Sequence, residues 1–300
     1  MKPSSAATTL AIGLAVAGFA LFTIMDTVIK WLSGSYSLTQ IVFFNALFAM
    51  VTILTIAARS GGLAALRTRR PGLHLLRASL GLVGAFTGFY ALGLMPLADF
   101  YAVIFSAPLF ITALSGPLLG ERVGWRRWLA VLVGFGGVLI MLHPDQGMVS
   151  WGAFGALAAA LFYALAMLLA RGMGGDEPAV TFAFYGNINA LAICGLLLPF
   201  SYIPPDLADL GRAALAGAAG GVAVTCVLAA FRLAPAAVVA PFQYTQMVWG
   251  VLIGMTVFGD QPDLQLVAGA GIVITSGLYL LVHESRQVQV AEAIAESVVP

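Results

Sequence analysis

Residues 94–98 read Leu-Met-Pro-Leu-Ala and precede an apolar run that ends at Leu119-Gly120-Glu121. A second copy begins at residues 233–237, which read Leu-Ala-Pro-Ala-Ala, and its apolar run ends at Phe258-Gly259-Asp260. The leucine, the proline, the last alanine, the glycine and the acidic residue each recur 139 positions later. A repeat that covers nearly half of the chain predicts two homologous halves.

The composition indicates a membrane protein. Hydrophobic residues make up 61% of the chain and charged residues only 9%, whereas a soluble domain carries about 25% charged residues. The net charge of +1 gives no reason to expect a nucleic-acid partner. Cys194 and Cys226 lie in separate apolar runs without a Cys/His cluster, so we expect buried cysteines, no metal site and no cofactor.

The sequence contains ten apolar segments of about 17–24 residues, the length that crosses a hydrocarbon core of about 30 Å. Proline, glycine and charged residues separate them. We therefore expect an all-α polytopic membrane protein of ten transmembrane helices. The first five-helix repeat spans 1–145, the second spans 146–285, and a cytoplasmic tail follows over 286–300. The predicted segments are 8–32, 37–58, 73–94, 98–119, 127–143, 151–171, 178–199, 211–233, 237–258 and 264–282.

The lysines and arginines predict the orientation, because cytoplasmic loops are enriched in them. With the N-terminus inside, only Lys30 and Arg212 lie outside. Five segments per half then make the second repeat inverted, and both termini cytoplasmic. The inside set is Lys2, Arg59, Arg67, Arg69, Arg70, Arg77, Arg122, Arg126, Arg127, Arg171, Arg232 and Arg286.

Inverted repeats are typical of transporters, which bind substrate near the midplane between two halves. With its Leu-x-x-Pro-x-Ala opening and its Gly120-Glu121-Arg122 corner, the chain resembles the drug/metabolite transporter superfamily, and within it the EamA-type exporters. It is most similar to the bacterial aromatic amino-acid exporters of the YddG type. The second copy departs from the pattern, with Asp260 in place of glutamate. The resemblance implies a basket of ten helices around a central cavity that exports small metabolites.

Ionisable residues at bilayer depth each need a reason, because burying them costs about 2.5–3.5 kcal/mol on insertion scales. Asp26 and Lys30 lie four residues apart on one face of the first segment. They form either a structural pair, or a site at which Lys30 meets a substrate carboxylate or gates the outer mouth. His74 and Arg77 are interpreted as anchors at the inner interface, and Glu121 and Asp260 as corners of the repeat.

Polar and aromatic residues at mid-depth are the candidates for substrate binding. Glutamines there should face the protein interior, either as contacts between helices or as ligands. Aromatic walls with a few hydrogen-bonding groups suit a small amphipathic ligand. Pro108 and Pro241 interrupt the fourth and ninth segments and are candidate hinges. The candidate substrate-binding residues are Asn45, Tyr90, Tyr101, Phe105, Tyr163, Tyr185, Asn187, Gln243, Tyr244, Gln246 and Trp249.

The sequence carries no catalytic motif, so we expect a transporter and not an enzyme. Scarce cationic residues disfavour phosphorylated substrates. We therefore expect an exporter of amino acids, including aromatic and apolar ones, in the bacterial inner membrane. The expected mechanism is alternating access, as a facilitator or with weak proton coupling, and the scarcity of carboxylates at mid-depth favours the facilitator. A monomer in the lipid bilayer suffices for it. The alternative is a proton-coupled efflux transporter for aromatic cationic drugs, with Asp26 as the titrating acid.

Overall fold

The computed structural model describes residues 5–59, 66–120, 124–141, 150–173, 179–234 and 236–298. These residues form α-helices joined by short connections. The helices are α1 (Ser5–Leu32), α2 (Leu38–Arg59), α3 (Pro71–Leu94), α4 (Leu97–Ile104), α5 (Ala107–Leu119), α6 (Trp125–Met141), α7 (Trp151–Gly172), α8 (Ala179–Leu197), α9 (Leu207–Leu233), α10 (Ala236–Val239), α11 (Thr245–Ile253) and α12 (Leu264–Val298).

The helical segments follow the ten predicted ones to within several residues, except that α12 continues to Val298 and that the fourth and ninth are interrupted. Seven of the described segments are long and apolar enough to cross a membrane, and helix α4 together with α5 counts as one of these. Helix α6 has 17 residues, and the apolar part of α12 ends at Leu280. The protein is therefore an all-helical membrane protein. The predicted boundary between the repeats, at 145/146, lies outside the described residues, as do Glu121 and Pro235.

The two copies of the repeat end in the same backbone conformation. Gly120 ends α5 with φ 70°, and Gly259 ends the ninth segment with φ 71°. These are the two glycines with positive φ in the described part of the chain. A side chain with a Cβ is disfavoured in this left-handed region, so glycine is required at both corners.

The breaks in the fourth and ninth segments also correspond. The fourth is interrupted at Phe105 and Ser106, between α4 and α5. The ninth passes from α10 through a 3₁₀ turn at Ala240–Tyr244 into α11, and ends in a π-helical turn at Gly254–Phe258. Pro108 lies in the first turn of α5 and Pro241 in the 3₁₀ turn. Proline is tolerated at these positions because its missing N–H leaves no hydrogen bond unmade.

Most of the packing joins the first half of the chain to the second. Helix α1 packs on α9, and α3 packs on α7. Helix α7 is the repeat equivalent of α1, and α3 is the repeat equivalent of α9. The α1–α9 pair in one half of the pattern therefore corresponds to the α7–α3 pair in the other. The pair of α6 with α12 and the pair of α2 with α8 map onto themselves under the same equivalence.

Packing is dense at one end of the bundle, which we call the Lys30 end because α1 finishes there. The largest apolar core cluster lies mainly at this end and includes Ile29, Leu92 and Leu97, all fully buried. The opposite end, where α1 begins, is called the Ser5 end. A smaller cluster around Ala11, Ala230 and Val239 lies there. Between these clusters the bundle is hollow.

Candidate functional site

Two adjoining cavities occupy the hollow part of the bundle. The Gln243 cavity has a volume of about 520 Å³ and the Asn45 cavity about 620 Å³. Phe22, Tyr163 and Met167 line both, so the two lie side by side, and together they are called the joined cavity. Each volume is in the range of sites that hold drug-sized ligands, roughly 300–1,000 Å³.

The Gln243 cavity is bounded by α1, by both broken segments and by α7. Phe105 at the break of the fourth segment packs edge-on against Tyr244 at the break of the ninth, with ring centroids 5.0 Å apart. The side chains of Gln243 and Gln246 and that of Thr112 supply hydrogen-bonding groups to an otherwise apolar wall. The aromatic rings of this wall are Phe19, Phe22, Phe100, Tyr101, Phe105, Tyr163 and Phe231.

A buried polar contact lies in this wall toward the Lys30 end. The Tyr101 hydroxyl donates a hydrogen bond of 2.8 Å to Asp26 Oδ2, and Thr23 and Gln246 lie beside the same hydroxyl. Both partners are buried, at 1% and 7% exposure. Gly250 allows α11 to reach Tyr101, because a Cβ at this glycine would lie 2.6 Å from the ring.

The Asn45 cavity contains a guanidinium group. Arg77 Nη2 donates to the Phe182 carbonyl oxygen at 2.7 Å, and the Phe182 ring lies 5.0 Å from the guanidinium carbon. Arg77 Nε is buried without a hydrogen-bond acceptor. The amides of Asn45 and Asn187 line the same cavity, and Asn187 Nδ2 donates to the Ala183 carbonyl oxygen at 2.9 Å.

The structure gives Asp26 and Lys30 different partners. Lys30 Nζ donates to the carbonyl oxygens of Met95 at 2.5 Å and Leu92 at 3.3 Å, and lies 5.1 Å from the centre of the Phe258 ring. It therefore joins α1 to the end of α3 and to the second corner of the repeat. Asp26 and Lys30 share one face of α1. Tyr101, however, is close enough to hydrogen-bond Asp26, and Lys30 extends toward carbonyl oxygens at the end of α3 that have no partner within the helix.

A second set of polar contacts lies at the Lys30 end. The Tyr36 hydroxyl donates to Asp209 Oδ2 at 2.7 Å. Arg212 forms a salt bridge with the same carboxylate and lies over the Trp31 ring. The hydrogen bond to this carboxylate raises the pKa of Tyr36. The Gln40 side chain exchanges hydrogen bonds of 2.7 and 2.9 Å with the backbone of Ile203, so the start of α2 is fixed to the connection between α8 and α9.

The joined cavity brings together nine of the residues that the sequence singled out. Tyr185 instead packs on His74, with ring centroids 4.9 Å apart, and Tyr90 is 42% exposed. Tyr244 and Trp249 do not line the cavity, and Tyr244 Oη and Trp249 Nε1 are buried and without hydrogen-bond partners. Lys30 and Pro241 also lie outside the lining. The nine are Asp26, Asn45, Tyr101, Phe105, Pro108, Tyr163, Asn187, Gln243 and Gln246.

Three residues that line the cavity are not among the candidates predicted from the sequence: Arg77, Phe22 and Met167. Arg77 was interpreted as an interfacial anchor, but α3 begins at Pro71, which places Arg77 about 9 Å along the helix at 1.5 Å per residue. An arginine at that depth in a membrane helix is a candidate for function. The position of Arg77 along α3 is therefore the signal that could identify it as a cavity residue. Phe22 and Met167 are ordinary apolar residues of apolar helices and carried no such signal.

The fold and the cavity define a multi-pass helical membrane protein with an interior cavity. The chain matches the model of the EamA-like transporter family twice, over residues 9–143 and 150–282, and belongs to that family. It is therefore a transporter and not an enzyme.

Named relatives align over most of their length. The riboflavin transporter of Rhizobium johnstonii is 30% identical over 92% of each chain. The S-adenosylmethionine uptake transporter of Rickettsia prowazekii is 28% identical over 88% of this chain and 90% of its own. A solved crystal structure, 20% identical, covers 94% of this chain and 98% of its own with a TM-score of 0.64, which shows a shared fold. These names support small-metabolite transport and do not support the amino-acid exporter subgroup.

Proposed function

We propose that this protein transports a planar heteroaromatic metabolite of about flavin size, with riboflavin as the first candidate. The observation that carries the proposal is the joined cavity, in which aromatic rings form the walls and amide side chains lie in both parts. Flat aromatic walls favour stacking with a planar ring system. The amides of Gln243, Gln246, Asn45 and Asn187 can both donate and accept hydrogen bonds, as ring carbonyls, ring N–H groups and hydroxyls require.

The dimensions favour this substrate class over an amino acid alone. The two cavities, of about 520 and 620 Å³, exceed what one amino-acid side chain fills, and sites bury most of the surface of their ligands. The names of the relatives, riboflavin and S-adenosylmethionine transporters, point to ring systems of this kind. Amino-acid export, expected from the sequence, is the competing hypothesis.

We propose that the ten helical segments all cross the membrane as an inverted five-plus-five repeat. The symmetric packing of α1 on α9 and α3 on α7, and the matching corners at Gly120 and Gly259, support this arrangement. The distribution of lysine and arginine supports cytoplasmic termini in a bacterial inner membrane. The Ser5 end is then cytoplasmic and the Lys30 end is external.

In this orientation the external end is the closed one. Its dense apolar core and the hydrogen bonds of Lys30 to Leu92 and Met95 hold α1 against α3. Breaking these contacts while equivalent ones form at the cytoplasmic end would complete an alternating-access cycle. A facilitator of this kind carries substrate in whichever direction its gradient runs, so uptake and export use the same cycle.

A second candidate function is transport of a cationic heteroaromatic compound, such as S-adenosylmethionine or an aromatic drug. Asp26 favours it, because this is the one carboxylate among the described residues that line the joined cavity. A carboxylate attracts a sulfonium or ammonium group, and the surrounding rings add cation–π attraction. Proton coupling would run through the same side chain.

The test is uptake of labelled riboflavin, S-adenosylmethionine and phenylalanine into proteoliposomes, with and without a pH gradient. We expect riboflavin uptake that needs no pH gradient and falls at least tenfold in the Gln243→Ala, Gln246→Ala double variant. S-Adenosylmethionine uptake that depends on the gradient and is lost in Asp26→Asn would favour the second candidate. Uptake of phenylalanine alone would overturn both in favour of an amino-acid transporter.

A further inference from the structure

The two charged side chains of the joined cavity lie at different depths in the bundle. The hydrogen bond from Lys30 to Leu92 sets the level of α1 against α3. Asp26, four residues before Lys30, is therefore level with about Gly88, eleven residues after Arg77. At 1.5 Å per residue the backbone positions of Asp26 and Arg77 are separated by roughly 16 Å along the bundle axis.

Neither charge is neutralised by a counter-ion in the described part of the chain. Asp26 accepts a hydrogen bond from Tyr101, and Arg77 donates to the backbone of Phe182. A buried charge without a counter-ion is costly, so its presence in a cavity points to a ligand that supplies the missing partner.

The surroundings of Arg77 leave room for such a ligand. Arg77 Nε is buried without a hydrogen-bond acceptor beside the cavity of about 620 Å³, and Gly186, which lines the same cavity, adds no side chain there. Asn187 lies next to it on the same wall. A guanidinium presents donors in a planar fork that matches two acceptor oxygens held in one plane.

The opposite part of the cavity has the complementary chemistry. Asp26, when ionised, only accepts hydrogen bonds, and Gln243 and Gln246 lie on the same cavity wall. These groups suit hydroxyl or cationic donors. A free amino acid carries both charges on one carbon and cannot reach both ends at once.

Resting on the proposed function, we propose that Arg77 is the residue that determines substrate orientation and specificity. It binds the planar oxygen-bearing edge of the substrate, while Asp26 and the glutamines bind the part that carries hydroxyls or a positive charge. For a flavin, Arg77 binds a carbonyl oxygen of the dione ring together with the acceptor ring nitrogen beside it, and Asp26 faces the ribityl chain. For an adenosyl amino acid, Arg77 binds the carboxylate.

The experiment measures dissociation constants of riboflavin and lumiflavin, which keeps the dione ring but has a methyl group in place of the ribityl chain. Flavin fluorescence reports binding to the purified full chain. The variants are Arg77→Gln, Asp26→Asn and Arg70→Gln. The last is a matched control, because Arg70 is on the same end of α3 and also donates to one carbonyl oxygen, that of Met173, but does not line the cavity.

We expect Arg77→Gln to raise the dissociation constants of both flavins at least tenfold and Arg70→Gln to change neither. Asp26→Asn should raise the dissociation constant of riboflavin only. Lumiflavin binding that survives Arg77→Gln, or that falls equally in Asp26→Asn, would overturn the proposed orientation. If Arg77→Gln does not fold, Arg77→Lys replaces it. That variant keeps the charge but loses the fork, so the same pattern is expected with a smaller loss.

Wild-type protein that binds neither flavin would overturn riboflavin as the substrate and leave the role of Arg77 to be tested on the second candidate. The same variants are then assayed with S-adenosylmethionine and its decarboxylated form. Selective weakening of the carboxylate-bearing compound by Arg77→Gln supports the assignment. Equal affinities of the two compounds for wild type and variant overturn it.

Discussion

The Tyr101 hydroxyl lies 2.8 Å from Asp26 Oδ2 and joins the fourth segment to α1 on the side of the cavity toward the Lys30 end. The Tyr101 ring also stacks on Phe105, at the break between α4 and α5, with centroids 6.1 Å apart. A movement of the fourth segment would therefore move Tyr101, the hydrogen-bond partner of Asp26. Asp26 is the only carboxylate among the described residues that line the cavity. We therefore propose that this contact links substrate binding to helix movement.

Replacing Tyr101 with phenylalanine should destabilise the protein by about 1–3 kcal/mol, because it removes one partner of a buried acidic side chain. The loss is measured by thermal unfolding in detergent. Tyr202→Phe is the control, since Tyr202 is exposed in the connection before α9. Equal unfolding temperatures for the two variants would show that the hydrogen bond contributes nothing.

Replacing Lys30 with methionine should open the Lys30 end of the bundle. Hydrogen bonds from a charged donor contribute about 1.5–3 kcal/mol, so their loss should change the closed population tenfold or more. The readout is labelling of Ala98→Cys, a buried core position, by an impermeant thiol reagent in a chain with Cys194→Ala and Cys226→Ala. Lys30→Arg, which keeps the donors, should label slowly. Identical rates in all three chains would argue against a closing role.

Alanine at either corner glycine should cost about 1–2 kcal/mol, the penalty for a Cβ in the left-handed conformation. The prediction covers Gly120→Ala and Gly259→Ala equally, because their φ angles are 70° and 71°. Gly271→Ala is the control: no atom lies within 4 Å of an added Cβ there, and alanine favours a helix. A corner variant as stable as this control would be inconsistent with the conformation described.

The contact of Tyr36 with Asp209 should respond to alkaline pH. Its pKa is raised above 10.0 because the hydroxyl donates to a carboxylate, so the contact is complete below 10.0 and is lost as the pH rises through the raised value. The difference between the ultraviolet titration curves of wild type and Tyr36→Phe should show a tyrosine that ionises later than free tyrosine. An unchanged titration curve in the variant would contradict the assignment.

The repeat allowed much of the fold to be predicted from the sequence. The spacing from Pro96 to Gly120, found again in the second half, indicated two similar corners, and both glycines have the expected left-handed conformation. The ten helical segments follow from apolar length alone. The last helix is longer than the predicted tenth segment, which ends at residue 282, because α12 continues to Val298 without a residue that would stop it.

Which side chains face the cavity was harder to predict. A helix with lipid on one side and other helices on the rest is apolar all round, so periodicity does not reveal its inner face. Tyr90 and Tyr163 are both aromatic residues within apolar helices, yet only Tyr163 lines the cavity. Arg77 was missed for a different reason: its positive charge was attributed to membrane orientation.

The central claim is that a planar heteroaromatic substrate binds between the two parts of the joined cavity, and Tyr163, which lines both, tests it most directly. The measurement is the riboflavin dissociation constant of wild type, Tyr163→Ala and the exposed control Tyr202→Ala. We predict a loss of about tenfold, or roughly 1.4 kcal/mol, for Tyr163→Ala and none for the control. Riboflavin bound equally well by all three proteins would contradict binding in this cavity.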